Sequence, residues 1–323
     1  MTALPLPALD GGTPLGFLAA LGVLRLVTEH GEYQPRLAWS RQDGIAVLHD
    51  AHADVDGLVA DLSAVVTGIP DAGVLPGMPA DVPPPGEAPD KLRLPRPDLA
   101  RYAAGVSRAA GPAGERWLSS LVTDLSLDDK QRADISQFAA PSGKQSMRTM
   151  LEKPLARVRA NPTLLREALV SWRRYAGVSG EYLDHRVLFD AVDAADGKPA
   201  ERGVPGATWL ALMAYPLMLT TGLGGQPRTT CWQDLGRGAR RMVYPLWSAP
   251  LDVDGVRAVL THPVLQGAAP GAPPAEAGPL SIFRVCHAER RRIPGRTFAG
   301  VLTPVTTPPR APRRTARAAA PSR

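Results

Sequence analysis

Aromatic residues are scarce in this 323-residue chain, where Phe, Tyr and Trp together make up 5%. Only two cysteines occur, Cys231 and Cys286, which are too few for a disulfide framework and favour a reducing compartment such as the cytoplasm. No apolar run is long and uncharged enough to predict a membrane-spanning helix. The first apolar stretch, residues 14–27, contains Arg25 and lacks a basic segment before it, so a signal peptide is not predicted.

The sequence also lacks a complete phosphate-binding motif. Residues 142–146 read Ser-Gly-Lys-Gln-Ser, but a Walker loop needs a Gly where Phe138 stands and a Ser or Thr where Gln145 stands. An anion-holding helix N-terminus beside Lys144 and a plain helix cap are the two remaining interpretations. Residues 222–228, Gly-Leu-Gly-Gly-Gln-Pro-Arg, do not match a dinucleotide fingerprint. They predict either a simple helix-to-strand turn or a flexible loop that carries Arg228 to a phosphate.

A metal centre is not predicted either. His49 and Asp50 are adjacent, as in metal-dependent phosphohydrolases, and His52 follows closely. The other histidines show no supporting spacing, and the HExxH, GxSxG and paired CxxC motifs are absent. The sequence therefore predicts no catalytic residue, no metal ligand and no cofactor. A nuclease or phosphohydrolase that uses His49 and Asp50 is the enzymatic alternative.

Charge is abundant but unevenly distributed. The net charge of the chain is +6, yet residues 284–323 contain ten Arg and one acidic residue, whereas residues 1–283 carry −3. Contact with a polyanion is therefore expected to be local. Apolar residues make up 44% of the chain, which is enough for a hydrophobic core, and the 34 Pro and 31 Gly predict many turns.

The first helix is the clearest local prediction. Thr13 is positioned to cap it, and Pro14 suits its first turn. Apolar residues recur on both sides of this helix, which is typical of a fully buried one. Gly16 and Gly22 would allow another backbone to approach closely.

Further elements follow from turn residues and periodicity. Asp43-Gly44 lies between two short β-type runs, 37–40 and 45–48, and predicts a hairpin. Nine prolines in residues 68–98 predict a loop or linker. Helices are predicted over 54–67, 98–110, 112–125, 207–219 and 252–260. Two more are predicted only by their start, one at 142–144 and one at 162. Strands are predicted over 135–139, 229–232, 241–246, 282–286 and 297–302.

This mixed order predicts an α+β fold that is helix-rich with short antiparallel sheets. The predicted organisation has four parts. They are an N-terminal α/β element (1–67), a Pro-rich linker or loop (68–98), a main α+β domain (99–303) and a disordered basic C-terminal tail (304–323).

Arginine-rich segments are the candidate nucleic-acid contacts, because guanidinium groups neutralise phosphates and stack on bases. Residues 144–175 carry a net charge of +6 together with Trp172 and Tyr175, although a solvated helix face has a similar composition. Other arginines lie in the Gly-rich turn at 236–241 and on the last strands. The candidate contacts are Lys144, Arg148, Arg173, Arg174, Arg228, Arg237, Arg240, Arg241, Arg284, Arg290, Arg291 and Arg292.

Four short motifs between residues 12 and 250 carry a family resemblance. They are the Gly-Thr-Pro-Leu-Gly-Phe-Leu opening of segment 12–25, Phe-Ala-Ala-Pro-Ser-Gly-Lys-Gln at 138–145, segment 184–190 followed by Gly-Ala-Thr-Trp-Leu-Ala at 206–211, and Tyr-Pro-Leu-Trp at 244–247. Together they resemble CRISPR-associated subunits of type I-G (formerly I-U) effector complexes, a large-subunit-like family. The chain is far shorter than the large subunits of that family.

The resemblance implies a non-catalytic subunit of an RNA-guided antiviral complex. Its expected partners are guide RNA, target DNA or both, and the other subunits of the complex, with no membrane partner. A plain assembly protein whose Arg-rich face binds an acidic partner is the third hypothesis.

Overall fold

The structure is a computed structural model that describes residues 2–139, 145–192, 201–236, 239–271, 273–293 and 300–305. Helices and short antiparallel sheets alternate irregularly in it, which confirms the predicted α+β class. The helices are α1 (Pro14–His30), α2 (Val55–Gly68), α3 (Arg96–Leu121), α4 (Met147–Ala160), α5 (Thr163–Val170), α6 (Val187–Val192), α7 (Pro205–Met213) and α8 (Val253–Thr261). The strands are β1 (Ala3–Asp10), β2 (Arg36–Trp39), β3 (Ile45–His49), β4 (Val122–Leu127), β5 (Ala133–Ile135), β6 (Tyr175–Ala176), β7 (Arg202–Gly203), β8 (Thr220–Leu223), β9 (Gln226–Thr229), β10 (Trp232–Gly236), β11 (Ala239–Trp247), β12 (Ile282–Arg292) and β13 (Gly300–Pro304).

Helix α1 is buried over most of its length, as predicted. The Thr13 hydroxyl accepts a hydrogen bond from the Gly16 backbone N–H at 3.2 Å, and Pro14 occupies the first turn. Every residue from Pro14 to Val27 is buried. A Cβ atom built on Gly22 would lie 1.8 Å from the Leu210 carbonyl oxygen, so α1 and α7 touch at backbone level. The prediction of a close backbone approach at Gly22 is confirmed.

The N-terminal sheet has the strand order β1-β3-β2, with antiparallel pairing throughout. The predicted hairpin is present: the Gly44 backbone N–H donates to the Ser40 carbonyl at 2.9 Å, which closes the β2–β3 turn. Strand β1 was not predicted, because Pro5 and Pro7 cannot donate to a ladder. Their place at the edge of the sheet explains how a strand tolerates them.

The second sheet has the order β10-β11-β12-β13 and is also antiparallel. An aromatic cluster joins the two sheets through α1: the Phe17 ring lies 4.4 Å from Tyr244 and 5.6 Å from Trp39, between centroids. The Trp247 indole N–H donates to the Leu37 carbonyl at 2.8 Å. The 1–67 and 99–303 segments therefore share one hydrophobic core.

The Pro-rich segment packs on this core as a loop from Ile69 to Pro95, without a helix or strand. Its side chains Val74, Leu75 and Leu92 are buried. The Arg148 guanidinium group on α4 donates to the carbonyls of Ala72 and Ala80, each at 2.6 Å, and of Pro83 at 3.0 Å. Arg159 binds the carbonyls of Ile69 and Pro70 in the same way, at 2.7 and 2.8 Å. Helix α4 thus holds the loop in place.

Element boundaries differ from the predictions at several points. Helix α3 bends at Gly111 (φ 55°) before Pro112, as the two predicted helices suggest, but it ends at Leu121 and β4 follows. Residues 222–228 form a tight hairpin between β8 and β9, with Gly224 and Gly225 at φ 59° and 72°, rather than a helix-to-strand turn. Pro304, the first residue of the predicted tail, belongs to β13 and pairs with Ala288 of β12. The rest of that tail, apart from Val305, lies outside the described residues.

Candidate nucleic-acid interface

The structure sorts the predicted cationic contacts by what their side chains already bind. Lys144 and Arg237 lie outside the described residues. Arg148 is buried, and its donors are occupied by three loop carbonyls and by Glu152. The prediction that Arg148 contacts nucleic acid is therefore wrong, because its guanidinium group is enclosed within the protein.

Three further predicted contacts form ion pairs inside the chain. Arg174 donates two hydrogen bonds to the Asp190 carboxylate, at 2.8 and 2.6 Å. Arg241 donates to Glu289 on the neighbouring strand, its Nε lying 2.8 Å from Oε1. Arg228 lies 3.4 Å from Asp234. Carboxylates pair with these three cations within the fold, and their contact with nucleic acid stays a prediction.

Two of the predicted contacts are exposed, one between α5 and β6 and one at the end of β12. Arg173 is exposed, with its guanidinium carbon 5.4 Å from the centre of the Tyr175 ring. Arg291 is exposed at the end of β12, next to the equally exposed Arg292. Among the described residues, no carboxylate forms an ion pair with Arg173 or Arg291.

The most organised cationic group surrounds Phe283 at the start of β12. The Arg284 guanidinium carbon lies 6.0 Å from the centre of the Phe283 ring, and that of Arg41 lies 5.7 Å from it. Within the part of the chain that the structure describes, neither guanidinium group has a carboxylate partner. We call Arg41, Phe283 and Arg284 the Phe283 platform.

The β2–β3 hairpin supplies one half of the Phe283 platform. Arg41 follows Ser40 in the turn, and Gly44 closes that turn with a φ of 78°, a conformation that favours glycine. A Cβ atom on Gly44 would lie 3.5 Å from Nη1 of Arg284. The turn therefore packs directly against the Arg284 side chain, which brings together two residues separated by most of the chain.

Sequence reasoning identified Arg284 but missed Arg41. The position of Arg41 in an Asp-Gly hairpin turn indicates an exposed side chain. The sequence does not show that this turn packs on β12, so it does not predict that Arg41 lies beside Arg284. Phe283 was also passed over as part of an apolar strand, although its side chain is partly exposed.

Arg290 and Arg240 occupy a different place, in a cleft between the second sheet and the β8–β9 hairpin. Arg290 donates to the carbonyls of Gln137 and Gly300, each at 3.0 Å, and its guanidinium carbon lies 5.4 Å from the Trp232 ring centre. Burial lowers the pKa of Arg290 to about 10. Arg240 donates to the Gln226 side-chain oxygen at 3.2 Å.

The alternative site at His49 and Asp50 has a different geometry from a metal centre. The Asp50 carboxylate accepts a hydrogen bond from Nε of Arg36 at 2.9 Å, and this contact lowers the pKa of Asp50. Burial lowers the pKa of His49, which ends β3. Across the described residues, no three His, Cys, Asp or Glu side chains are grouped so that they could hold a metal ion.

The remaining functional predictions concern cysteines and membranes. Cys231 and Cys286 are free thiols, and burial raises the pKa of each to about 12, so neither thiol is ionised near neutral pH. Within the described ranges, none of the helices combines the length and hydropathy that a bilayer crossing requires.

Comparison with known proteins adds no assignment. No protein-family model matches the chain, and no curated protein matches its sequence.

Proposed function

We propose that this protein is a non-catalytic nucleic-acid-binding subunit of an RNA-guided antiviral complex, acting in the cytoplasm. The observation that carries the nucleic-acid part of this proposal is the Phe283 platform: a partly exposed aromatic ring within 6.0 Å of two guanidinium groups that have no carboxylate partner among the described residues. The resemblance of segments 12–25, 138–145, 184–190, 206–211 and 244–247 to type I-G CRISPR-associated subunits supports the assignment to such a complex.

The Phe283 platform fits a single-stranded nucleic acid chemically. An aromatic face stacks on any base, a contact that contributes about 1–3 kcal/mol. Each unpaired guanidinium group can neutralise a backbone phosphate and stack on a base at the same time. Both features are independent of base sequence, so the platform suits a subunit that holds a strand whose sequence is read elsewhere, by base pairing.

The test is a fluorescence-anisotropy titration of labelled single-stranded RNA and DNA at several salt concentrations. Replacing Arg41 and Arg284 together by Ala should remove two phosphate contacts and flatten the log–log salt slope by about 1.4. Phe283→Ala should weaken binding at every salt concentration while the slope stays close to that of the wild type.

Arg101→Ala is the matched control. Arg101 is exposed on α3 and paired with Asp98, so its loss removes one positive charge, half of what the double variant removes, from a surface where we expect no contact. If the salt slope fell equally in Arg101→Ala and in the Arg41/Arg284 double variant, binding would depend only on the overall positive charge of the protein. That result would refute the proposal.

Two further outcomes would redirect the assignment. Metal-dependent cleavage of nucleic acid that His49→Ala abolishes would show an enzyme rather than a binding subunit. Purification from the native host tests the third hypothesis: co-purified RNA supports the proposal, whereas an acidic protein without RNA supports a plain assembly role.

A further inference from the structure

The cleft that contains Arg240 and Arg290 has a volume of about 780 Å³. This lies in the range of small-molecule sites, which are commonly 300–1,000 Å³. Its wall includes Trp232 and Gln226 together with the acidic residues Asp129 and Asp134. The cleft is separate from the Phe283 platform, since Arg284 lies six residues before Arg290 on β12, about 20 Å along an extended strand.

Most carboxylates of the cleft are already neutralised by arginines of this chain. Asp134 accepts a hydrogen bond from Arg93 at 3.2 Å, and Glu289 is bound by Arg241. Asp128 accepts two hydrogen bonds from the Arg132 guanidinium group, at 3.0 and 2.7 Å. Among the described lining residues, the charged groups without an ion pair are Asp129, Arg240 and Arg290.

Two of these three groups, Arg240 and Arg290, lie on neighbouring strands of one sheet. Strands β11 and β12 are antiparallel, and Arg241 pairs with Glu289. Continued one residue beyond this pair, the register would place Arg240 opposite Arg290, and both residues line the cleft, while on its other side Arg240 pairs with Asp234 of β10. Side chains of directly opposed residues lie on the same face, with Cβ atoms about 4.5–5.5 Å apart, and like charges in this position are destabilising.

Among the residues that the structure describes, no carboxylate is paired with Arg290 to offset this repulsion. Its hydrogen bonds go to the neutral carbonyls of Gln137, Ala139 and Gly300, and its guanidinium group lies against the Trp232 ring. A half-buried charge without an opposite partner carries a desolvation cost, which agrees with the lowered pKa of this arginine. An anion between Arg240 and Arg290 would offset both the burial and the repulsion.

We propose that the cleft binds a phosphate monoester, held between Arg240 and Arg290. A monoester carries about −1.5 to −2 charges at neutral pH, which suits two guanidinium groups. Asp129 is exposed in the same cleft and can accept hydrogen bonds from hydroxyl or amino groups, while it repels additional phosphates. The ligand is therefore a monophosphate on a polar carrier of nucleotide size, either a free mononucleotide or the terminal phosphate of a strand.

The experiment is isothermal titration calorimetry on the full chain with AMP, adenosine and inorganic phosphate, and with a hexaribonucleotide carrying either a 5′-phosphate or a 5′-hydroxyl. AMP should bind and adenosine should not. Tighter binding of the 5′-phosphorylated strand than of both AMP and the 5′-hydroxyl strand identifies a strand end as the ligand. Equal binding of the two strands, together with binding of AMP, identifies a free mononucleotide. Failure of AMP, phosphate and the phosphorylated strand to bind would overturn the proposal.

Arg240→Glu separates a ligand site from a merely structural pair. The new carboxylate would face Arg290 and take the place of the anion, so affinity for AMP should fall at least tenfold while the melting temperature rises. Arg108→Glu is the control: Arg108 is exposed on α3, away from the cleft, and the same charge reversal there should leave AMP binding unchanged. Wild-type affinity in Arg240→Glu would overturn the proposal.

A loss of binding in the Arg41/Arg284 double variant affects the proposed function, not this one. The cleft and the Phe283 platform share strand β12 but no residue. AMP binding in that double variant should equal that of the wild type, so the two proposals can fail separately.

Discussion

Replacing Gly22 by Ala should destabilise the protein strongly for so small a change. The added Cβ atom would lie 1.8 Å from the Leu210 carbonyl oxygen, whereas contacts of this kind essentially never fall below 3.0 Å. Helices α1 and α7 would therefore have to separate by about 1.2 Å at the centre of the core, since neither backbone can rotate out of the way.

The cost can be worked from this displacement. Overpacking of a well-packed core typically costs about 1–3 kcal/mol, and contact with a rigid backbone carbonyl places Gly22 at the upper end. The higher helix propensity of Ala returns about 1 kcal/mol, which leaves a net loss of about 2 kcal/mol. For 323 residues this corresponds to a fall in melting temperature of about 3 °C.

Chemical denaturation followed by circular dichroism measures the effect, with Gly105→Ala as its counterpart. Gly105 lies in α3, and a Cβ atom there meets no atom within 4 Å, so this substitution should stabilise the protein by about 0.5–1 kcal/mol. Opposite signs for the two variants are the expected result. If Gly22→Ala were as stable as Gly105→Ala, the close crossing of α1 and α7 would be refuted.

Three other predictions concern Arg148, Glu181 and the C-terminus. Arg148→Ala should cost about 1–3 kcal/mol in urea unfolding, because it leaves three loop carbonyls without donors, of which that of Pro83 is buried, and Arg148→Lys should recover only part of this loss. Burial raises the pKa of Glu181 from 4.5 to about 7, so the folded state binds the proton more tightly than the unfolded state. The free energy of unfolding should therefore fall by about 3 kcal/mol between pH 4.5 and 7 and stay constant above pH 7. Unfolding measured as a function of pH should show no such fall in Glu181→Gln. Deleting residues 306–323 removes five Arg and should leave the melting temperature within about 1 °C while lowering the salt slope for nucleic acid; a larger shift in calorimetry would show that the segment contributes to the fold.

The elements that sequence predicted well depend on neighbouring residues. Thr13 and Pro14 begin α1, and Asp43-Gly44 turns the β2–β3 hairpin, because capping and turn chemistry act within a few positions. Strand β1 was missed because its prolines argue against a strand unless its place at the sheet edge is known. Edge position is a property of the assembled sheet and is absent from the local pattern.

The charges of the candidate site were predicted less well, because the partners of the arginines lie far away in the sequence. Arg241 is neutralised by Glu289, which lies 48 positions away in the sequence. Arg148 donates a hydrogen bond to the carbonyl of Ala72, which lies 76 positions away. A count of arginines along the chain cannot detect such partners. The same limitation hid the Phe283 platform, where Arg41 meets a strand more than 240 positions later.

The Pro-rich loop has a further consequence in its balance of donors and acceptors. Proline supplies a carbonyl but no N–H, so the eight prolines between residues 69 and 95 leave the loop with more acceptors than its own backbone can satisfy. Arginine is the opposite case, with five N–H groups and no acceptor. Arg148 and Arg159 therefore act as the missing amide donors of a segment that cannot supply its own, and the loop and α4 should order in a single step during folding. Some of the arginines whose charge suggests nucleic-acid binding therefore serve instead as hydrogen-bond donors to the carbonyls of the Pro-rich loop.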